Sequence, residues 1–179
     1  MDRREGPGRL GRVVITRQEV ATRVTDLGLA IRRDYAGRFP LFVGVLKGAL
    51  VFAADLFRAA ALPSSLDFMG VSSYGGDARP SGIVRLTADL SMSIEGRDVI
   101  IVEDIIDTGR TIAYLRRNLA TRHPRSLAFC VLLDKVARRE VDVTVDYVGF
   151  AIPDEFVVGY GLDYNEKYRN LRDIVVFEG

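Results

Sequence analysis

A single cysteine, Cys130, excludes an intramolecular disulfide and a site built on several thiolates. Its neighbours Phe129 and Val131 predict a buried strand thiol, in keeping with a reducing cytosol and a cytoplasmic setting. The only histidine is His123, followed by Pro124 between Arg122 and Arg125. One histidine removes His-based catalytic triads and a His-rich zinc centre, and its basic loop gives it no catalytic role. Charge of one sign is also missing. Lys plus Arg number 25 against 24 Asp plus Glu, a net +1, so neither a nucleic-acid-binding field nor a disordered acidic chain is expected. Apolar runs are short: Gly48–Ala54 stops at Asp55, too early to span a bilayer. Repeats and low-complexity tracts are absent. Residues 1–12 have no apolar segment of a secretory signal and read as a loose tail, leaving 13–179 as one domain. At 179 residues and 48% hydrophobic, the chain can build a core without staples.

Punctuation and periodicity give the organisation. Thr16-Arg17-Gln18-Glu19 fits a capping box, and Val20, Val24, Leu27 and Ile31 follow at helical spacing to about Tyr35. Leu41–Leu46, a break at Gly48 and Ala49–Ala61 read as strand, turn and helix. Ser65–Ser73 reads as a strand, and Ile83–Ala88 could pair with it as a hairpin across the Gly-rich stretch from Tyr74 to Gly82. Val99–Val102 is a β-branched run suited to a strand buried on both faces. A helix over Thr111–Ala120 and strands over Leu127–Leu133, Tyr147–Ile152 and Phe156–Val158 complete an α/β fold with a parallel sheet and right-handed crossovers. In such sheets ligands bind beyond the carboxyl ends of the strands.

The strongest chemistry lies at one of those ends. Glu103 and Asp104 close an apolar strand, Asp107 follows, and Thr108-Gly109-Arg110-Thr111 opens a helix. Three carboxylates so close, with Arg110 as sole local partner, are costly unless a cation or polyol engages them. The turn offers hydroxyls, a glycine and free N–H groups at a helix N-terminus, a cradle for a monoester phosphate. It lacks the Gly-x-x-x-x-Gly-Lys pattern of a Walker A loop. Hydroxyls or Mg²⁺ at the acidic pair and phosphate at the turn describe one ligand, a ribose 5-phosphate. A bare helix N-terminus would account for Asp107 and Thr108 but poorly for Glu103-Asp104.

The stretch Glu103–Thr111 resembles the diphosphate-sugar signature of type I phosphoribosyltransferases, and its Ile105-Ile106-Asp107 form resembles the hypoxanthine/guanine branch. The likeness runs from about Val13 to Phe177. It implies a twisted parallel sheet flanked by helices with a small hood formed by the chain ends. It implies transfer of 5-phosphoribosyl from 5-phosphoribosyl 1-diphosphate to N9 of hypoxanthine or guanine, releasing pyrophosphate, with Mg²⁺ as cofactor and a homodimer or homotetramer as the assembly. Glu103 and Asp104 would meet the ribose hydroxyls and metal. Asp107, Thr108, Gly109, Arg110 and Thr111 would bind the 5-phosphate, and Asp107 would also serve as general acid/base near the purine N7. Lys47 and Gly48, after a cis Leu46–Lys47 peptide, would bind pyrophosphate together with Arg169. Ser73 and Tyr74 would belong to a mobile lid that excludes water.

On the base side the resemblance assigns Lys135 to the exocyclic oxygen of a 6-oxopurine, Phe156 to stacking and the Val157 backbone to the base edge. Asp163 would contribute to the purine side and hold Mg²⁺. Read alone, Lys47 could be a solvated turn lysine, Lys135 a surface lysine, and Phe156 a core aromatic. Arg138 and Arg139 read as solvated, and Tyr160, Tyr164 and Tyr168 as packing. A xanthine-preferring enzyme and a regulatory RNA-binding protein of the same fold are the alternatives.

Overall fold

The computed structural model describes residues 8–74 and 83–179. Two sheets organise it. The larger has the order β4-β3-β2-β5-β6-β7, with β2 (Leu41–Leu46), β3 (Ser65–Tyr74), β5 (Asp98–Ile106), β6 (Ser126–Asp134) and β7 (Tyr147–Ala151) parallel. Strand β4 (Ile83–Ala88) adds antiparallel to β3, so the expected hairpin forms. The smaller sheet, order β1-β9-β8, joins β1 (Arg9–Ile15), β9 (Ile174–Glu178) and β8 (Val157–Val158) into a hood made from both ends of the chain.

Part of the expected N-terminal tail is a strand. Arg9 to Arg12 lie within β1, where Arg9 stands opposite Glu178 and Leu10 opposite Phe177. A strand held by a partner 160-odd residues away leaves little local signature in a Gly- and Arg-rich segment, whereas its partner β9 carries the β-branched run Ile174-Val175-Val176, a strand signal missing from the sequence reading.

Helix α1 (Arg17–Asp34) starts where the capping box places it: Thr16 N–H donates to Glu19 Oε2 at 2.8 Å, and Glu19 N–H donates to Thr16 Oγ1 at 3.3 Å. Its apolar stripe and that of α2 (Leu50–Ala60) cover one sheet face, burying Leu27, Ile31, Phe52 and Leu56. Helix α3 (Arg110–Ala120) covers the other through Ile112, Leu115 and Leu119 against Val99, Ile101 and Phe129. Cys130 is fully buried between them, and burial pushes its thiol well above the ordinary range. The register puts Glu103 opposite Val131 and Ile106 opposite Asp134. The carboxyl ends of β2, β5 and β6 therefore open along one edge.

Leu56 is fully buried in the α1/α2 layer. Leu56→Ala should cost about 2–5 kcal/mol, measured by urea unfolding, with the denaturant slope unchanged.

Candidate active site

A cavity of about 380 Å³ opens at that edge. Its walls combine Lys47 and Gly48 after β2, Glu103, Asp104, Asp107, Thr108, Gly109 and Thr111 at the β5–α3 junction, and Asp163 and Arg169 from the C-terminal loops. Three segments more than 50 positions apart thus converge on the stretch that the acidic motif singles out. A larger hollow of about 980 Å³ lies between α1, α2 and residues 169–172, sharing Arg169 but none of the acidic motif.

Glu103 and Asp104 sit inside the C-terminal part of β5, because its pairing with β6 continues to Ile106. Glu103 is buried, and its Oε2 has no partner among the described residues. Burial, and then the neighbouring Asp104, raise its carboxyl well above the usual range. Burial also raises Asp104, against hydrogen bonds that lower it. Asp104 Oδ1 accepts from the Ile105 N–H at 2.9 Å. Gly48 packs directly on it: a Cβ there would lie 1.7 Å from Asp104 Oδ2. An unpartnered carboxylate oxygen beside a cavity suits a divalent cation that takes its remaining ligands from a substrate.

The turn between β5 and α3 forms where the sequence places it. Gly109 caps α3 with φ +85°, and a side chain there would also meet Val141 O at 2.8 Å, so only glycine fits. Thr108 uses its carbonyl to accept from the Glu140 and Val141 N–H groups, which fixes the turn and leaves its N-terminal side facing the cavity. Arg110 departs from expectation. Its side chain is outside the cavity lining and pairs with Glu140, Nε to Oε2 at 2.9 Å. Its position as the first residue of α3 points its side chain away from the strand end that carries the acids.

Arg138 takes the place expected of Arg110. Its Nε lies 2.7 Å from Asp107 Oδ1, and another of its nitrogens, NH1, lies 3.4 Å from Asp154. Arg139 pairs with buried Asp134 at 2.8 Å. Neither is simply solvated; Arg138 reaches Asp107 just after β5 and Asp154 in the loop after β7, beyond local spacing, while Arg139 reaches back five residues to Asp134 at the end of β6. Tyr160, assigned to packing, also donates its hydroxyl to Asp55 at 2.7 Å, and burial pushes its ionisation far upward.

The peptide Leu46–Lys47 is cis, as the resemblance implies. Lys47 Nζ reaches Glu166 Oε2 at 3.0 Å. Arg169 lies 2.8 Å from Asp163 Oδ1 and 3.4 Å from Glu166 Oε1, and donates to Gly161 O at 2.7 Å. The hydrogen bond from Lys47 holds the Glu166 carboxyl below its ordinary range. Glu166 escaped the sequence reading because a Glu in a turn carries no motif of its own.

Three base-side residues stand outside the cavity lining. Lys135, 7% exposed after β6, lies 3.6 Å from Asp154, and its N–H donates to Ile106 O. Phe156 is 51% exposed, so it is no core aromatic; its ring stands edge-on to Tyr164 at 5.9 Å. Val157 is buried in β8 opposite Val176. Through Asp154, Arg138 links Lys135 to Asp107, joining base side and acidic motif by ion pairs. The backbones of Ser73 and Tyr74 end β3 opposite Val84 and Ile83. The remainder of the expected lid, residues 75–82, lies outside the described residues.

Comparison with known proteins decides the family. The model of the phosphoribosyl transferase domain matches residues 15–165. The chain belongs to the phosphoribosyl transferase family. It is 49% identical to the hypoxanthine-guanine phosphoribosyltransferase of Mycobacterium avium over 171 residues, covering 92% of this chain and 84% of that one. Against the same-named protein of Bacillus subtilis it is 47% identical, covering 93% of each. Its fold superposes on the crystal structure of a Bacillus anthracis hypoxanthine-guanine phosphoribosyltransferase with TM-score 0.89 at 42% identity, covering 96% and 99% of the two chains. A Staphylococcus aureus hypoxanthine phosphoribosyltransferase gives 0.89 at 44%, covering 94% and 92%.

Two outcomes follow from the geometry of this phosphoribosyl transferase. Gly48→Ala should leave the fold intact but displace Asp104, lowering turnover by about 100-fold, as expected when a site group is misplaced by an ångström; steady-state kinetics beside a melting curve checks it. Because the Glu103 carboxyl is raised in the fold, ionising it costs stability, a penalty absent below about pH 4.5 and growing as pH rises above it. Glu103→Gln should therefore raise the melting temperature of the unliganded protein more at pH 8 than at pH 5, read by calorimetry.

Proposed function

We propose that this protein is a purine salvage transferase that moves 5-phosphoribosyl from 5-phosphoribosyl 1-diphosphate to N9 of hypoxanthine or guanine, forming the nucleotide and pyrophosphate. The observation that carries this reading is one cavity in which a buried carboxylate pair with an unpartnered Glu103 oxygen, the Thr108–Thr111 turn and two cations meet. Relatives named for the same reaction, matched along more than nine-tenths of this chain, support it.

In this reading the 5-phosphate lies on the Thr108–Thr111 turn, where free N–H groups and the α3 dipole favour an anion. Glu103 and Asp104 accept from the ribose hydroxyls. Lys47, Gly48 and Arg169 hold the diphosphate, and the Ser73-Tyr74 lid is assigned to the same group. As N9 bonds to C1 of the sugar, the C1–O bond breaks and its electron pair leaves with pyrophosphate. Positive charge develops on the sugar, and the carboxylates beneath it favour that charge. Asp107, which Arg138 holds at 2.7 Å, accepts the proton that the base gives up. Lys135 donates to the 6-oxo group, while adenine offers a donor there and leaves the lysine unpaired. Phe156 stacks on the base and the Val157 backbone reads its edge.

Glu103, Asp104 and Asp163, all in the cavity lining, would hold Mg²⁺ with substrate oxygens completing its shell, since the described residues form no three-ligand cluster of their own; when bound, it would neutralise the leaving diphosphate. We assign a cytoplasmic location, consistent with the fully buried free thiol, and a homodimer or homotetramer. No described helix is long and apolar enough to cross a membrane.

Incubated with 5-phosphoribosyl 1-diphosphate and Mg²⁺, the protein should form nucleotide from hypoxanthine and guanine but not from adenine. Xanthine included in the panel tests the competing preference, and chelation of the metal should abolish turnover. Asp107→Asn should lower kcat about 100-fold or more while the fold persists. Unchanged turnover in that variant removes Asp107 from the proton transfer.

A further inference from the structure

Both cations assigned to the diphosphate are already engaged, and by the same carboxylate. Glu166 presents Oε2 to Lys47 Nζ at 3.0 Å and Oε1 to Arg169 at 3.4 Å. Lys47 and Glu166 are 119 residues apart in sequence, so no shared element forces the contact. The turn aims it instead. Asn165 and Glu166 both adopt left-handed backbone, at φ +49° and +62°, between the bridged residues Tyr164 and Lys167. Two consecutive non-glycine residues in that region are uncommon. The Glu166 N–H donates to Asp163 Oδ2 at 2.8 Å, while Asp163 Oδ1 takes Arg169. One aspartate thus fixes both the turn that carries Glu166 and the arginine that Glu166 meets.

We propose that Glu166 is a built-in stand-in for the substrate's diphosphate, a carboxylate that spans Lys47 and Arg169 in the unliganded protein and is displaced when the dense anion arrives. The proposal rests on the function proposed above and deepens it at the same site. Its physical content is competition. Lys47 and Glu166 are both about two-thirds exposed, so their pair is weak and readily broken. A single-charged anion offers the two cations little more than Glu166 already does. A diphosphate brings several charges and more oxygens, so it wins the exchange. The same competition acts in reverse at the end of turnover, when Glu166 can take back the cations as pyrophosphate departs.

The test is titration of magnesium pyrophosphate into the unliganded protein by calorimetry, at low ionic strength where exposed pairs are least screened. Glu166→Gln should tighten pyrophosphate binding by about three- to tenfold, the range expected from removing one or two exposed ion pairs. Glu166→Asp, which keeps the charge but shortens the reach, should fall between it and the parent. In a Lys47→Met background the gain from Glu166→Gln should shrink, because one contested cation is gone. The Michaelis constant for the sugar diphosphate should fall in Glu166→Gln while kcat does not rise.

A purely supporting role for Glu166 gives the opposite sign. Equal or weaker pyrophosphate binding by a folded Glu166→Gln overturns the proposal, as does an undiminished gain in the Lys47→Met background. A parent protein that binds neither pyrophosphate nor the sugar diphosphate instead sinks the proposed function, an outcome recognisable from the parent titration alone.

Discussion

Everything in this molecule turns on two neighbouring carboxylates held in an apolar sheet. Glu103 and Asp104 lie on the strand β5, flanked on both sides by parallel neighbours, and Glu103 has an oxygen without a partner. An uncompensated buried charge is among the most expensive features a fold can carry. It persists here because the rest of the core is large: fully buried Phe, Ile and Leu side chains line both sheet faces. The cost at β5 is relieved by whatever brings hydroxyls or a cation. Stability and activity pull in opposite directions at these residues.

Around that pair, charge is arranged as a circuit of two separate ion-pair chains. Asp107 has Arg138, Arg138 also has Asp154, Lys135 lies near Asp154, and Lys47 and Arg169 share Glu166. Each cation that would face a substrate in the proposed reaction rests against a carboxylate supplied by the chain itself. Ligand binding is then largely an exchange of partners, with less naked charge to desolvate. The exposed members of the circuit contribute little to stability individually; their value lies in keeping side chains near working positions.

How much of this could be read from residues alone depends on how local each cause is. The capping box of α1, the apolar run of β5 and the Thr108–Thr111 turn are encoded within a few positions, and each appears where its spacing puts it. Partners across the fold do not announce themselves. Arg110 is adjacent to the acids in sequence yet binds Glu140, while Arg138, 31 positions beyond Asp107, reaches it. Strand β1 was hidden for the same reason, since its only backbone partner is β9. The family resemblance supplied what spacing could not, including the cis bond at Leu46–Lys47 and the gathering of Asp163 and Arg169 beside the β5 motif.

The hood's construction from opposite ends of the chain has a consequence for the order of events during synthesis. Joining β1 to β9 closes a loop that encloses nearly the whole sequence, and such long-range pairing comes late because its entropy must be met before any contact rewards it. The sheet, the helices and the turn after β5 can all be in place while Ile174–Glu178 is still within the ribosome. A nascent chain at that moment would own the turn after β5 but lack a finished roof, and would ripen into the complete fold only once Ile174–Glu178 joins β1.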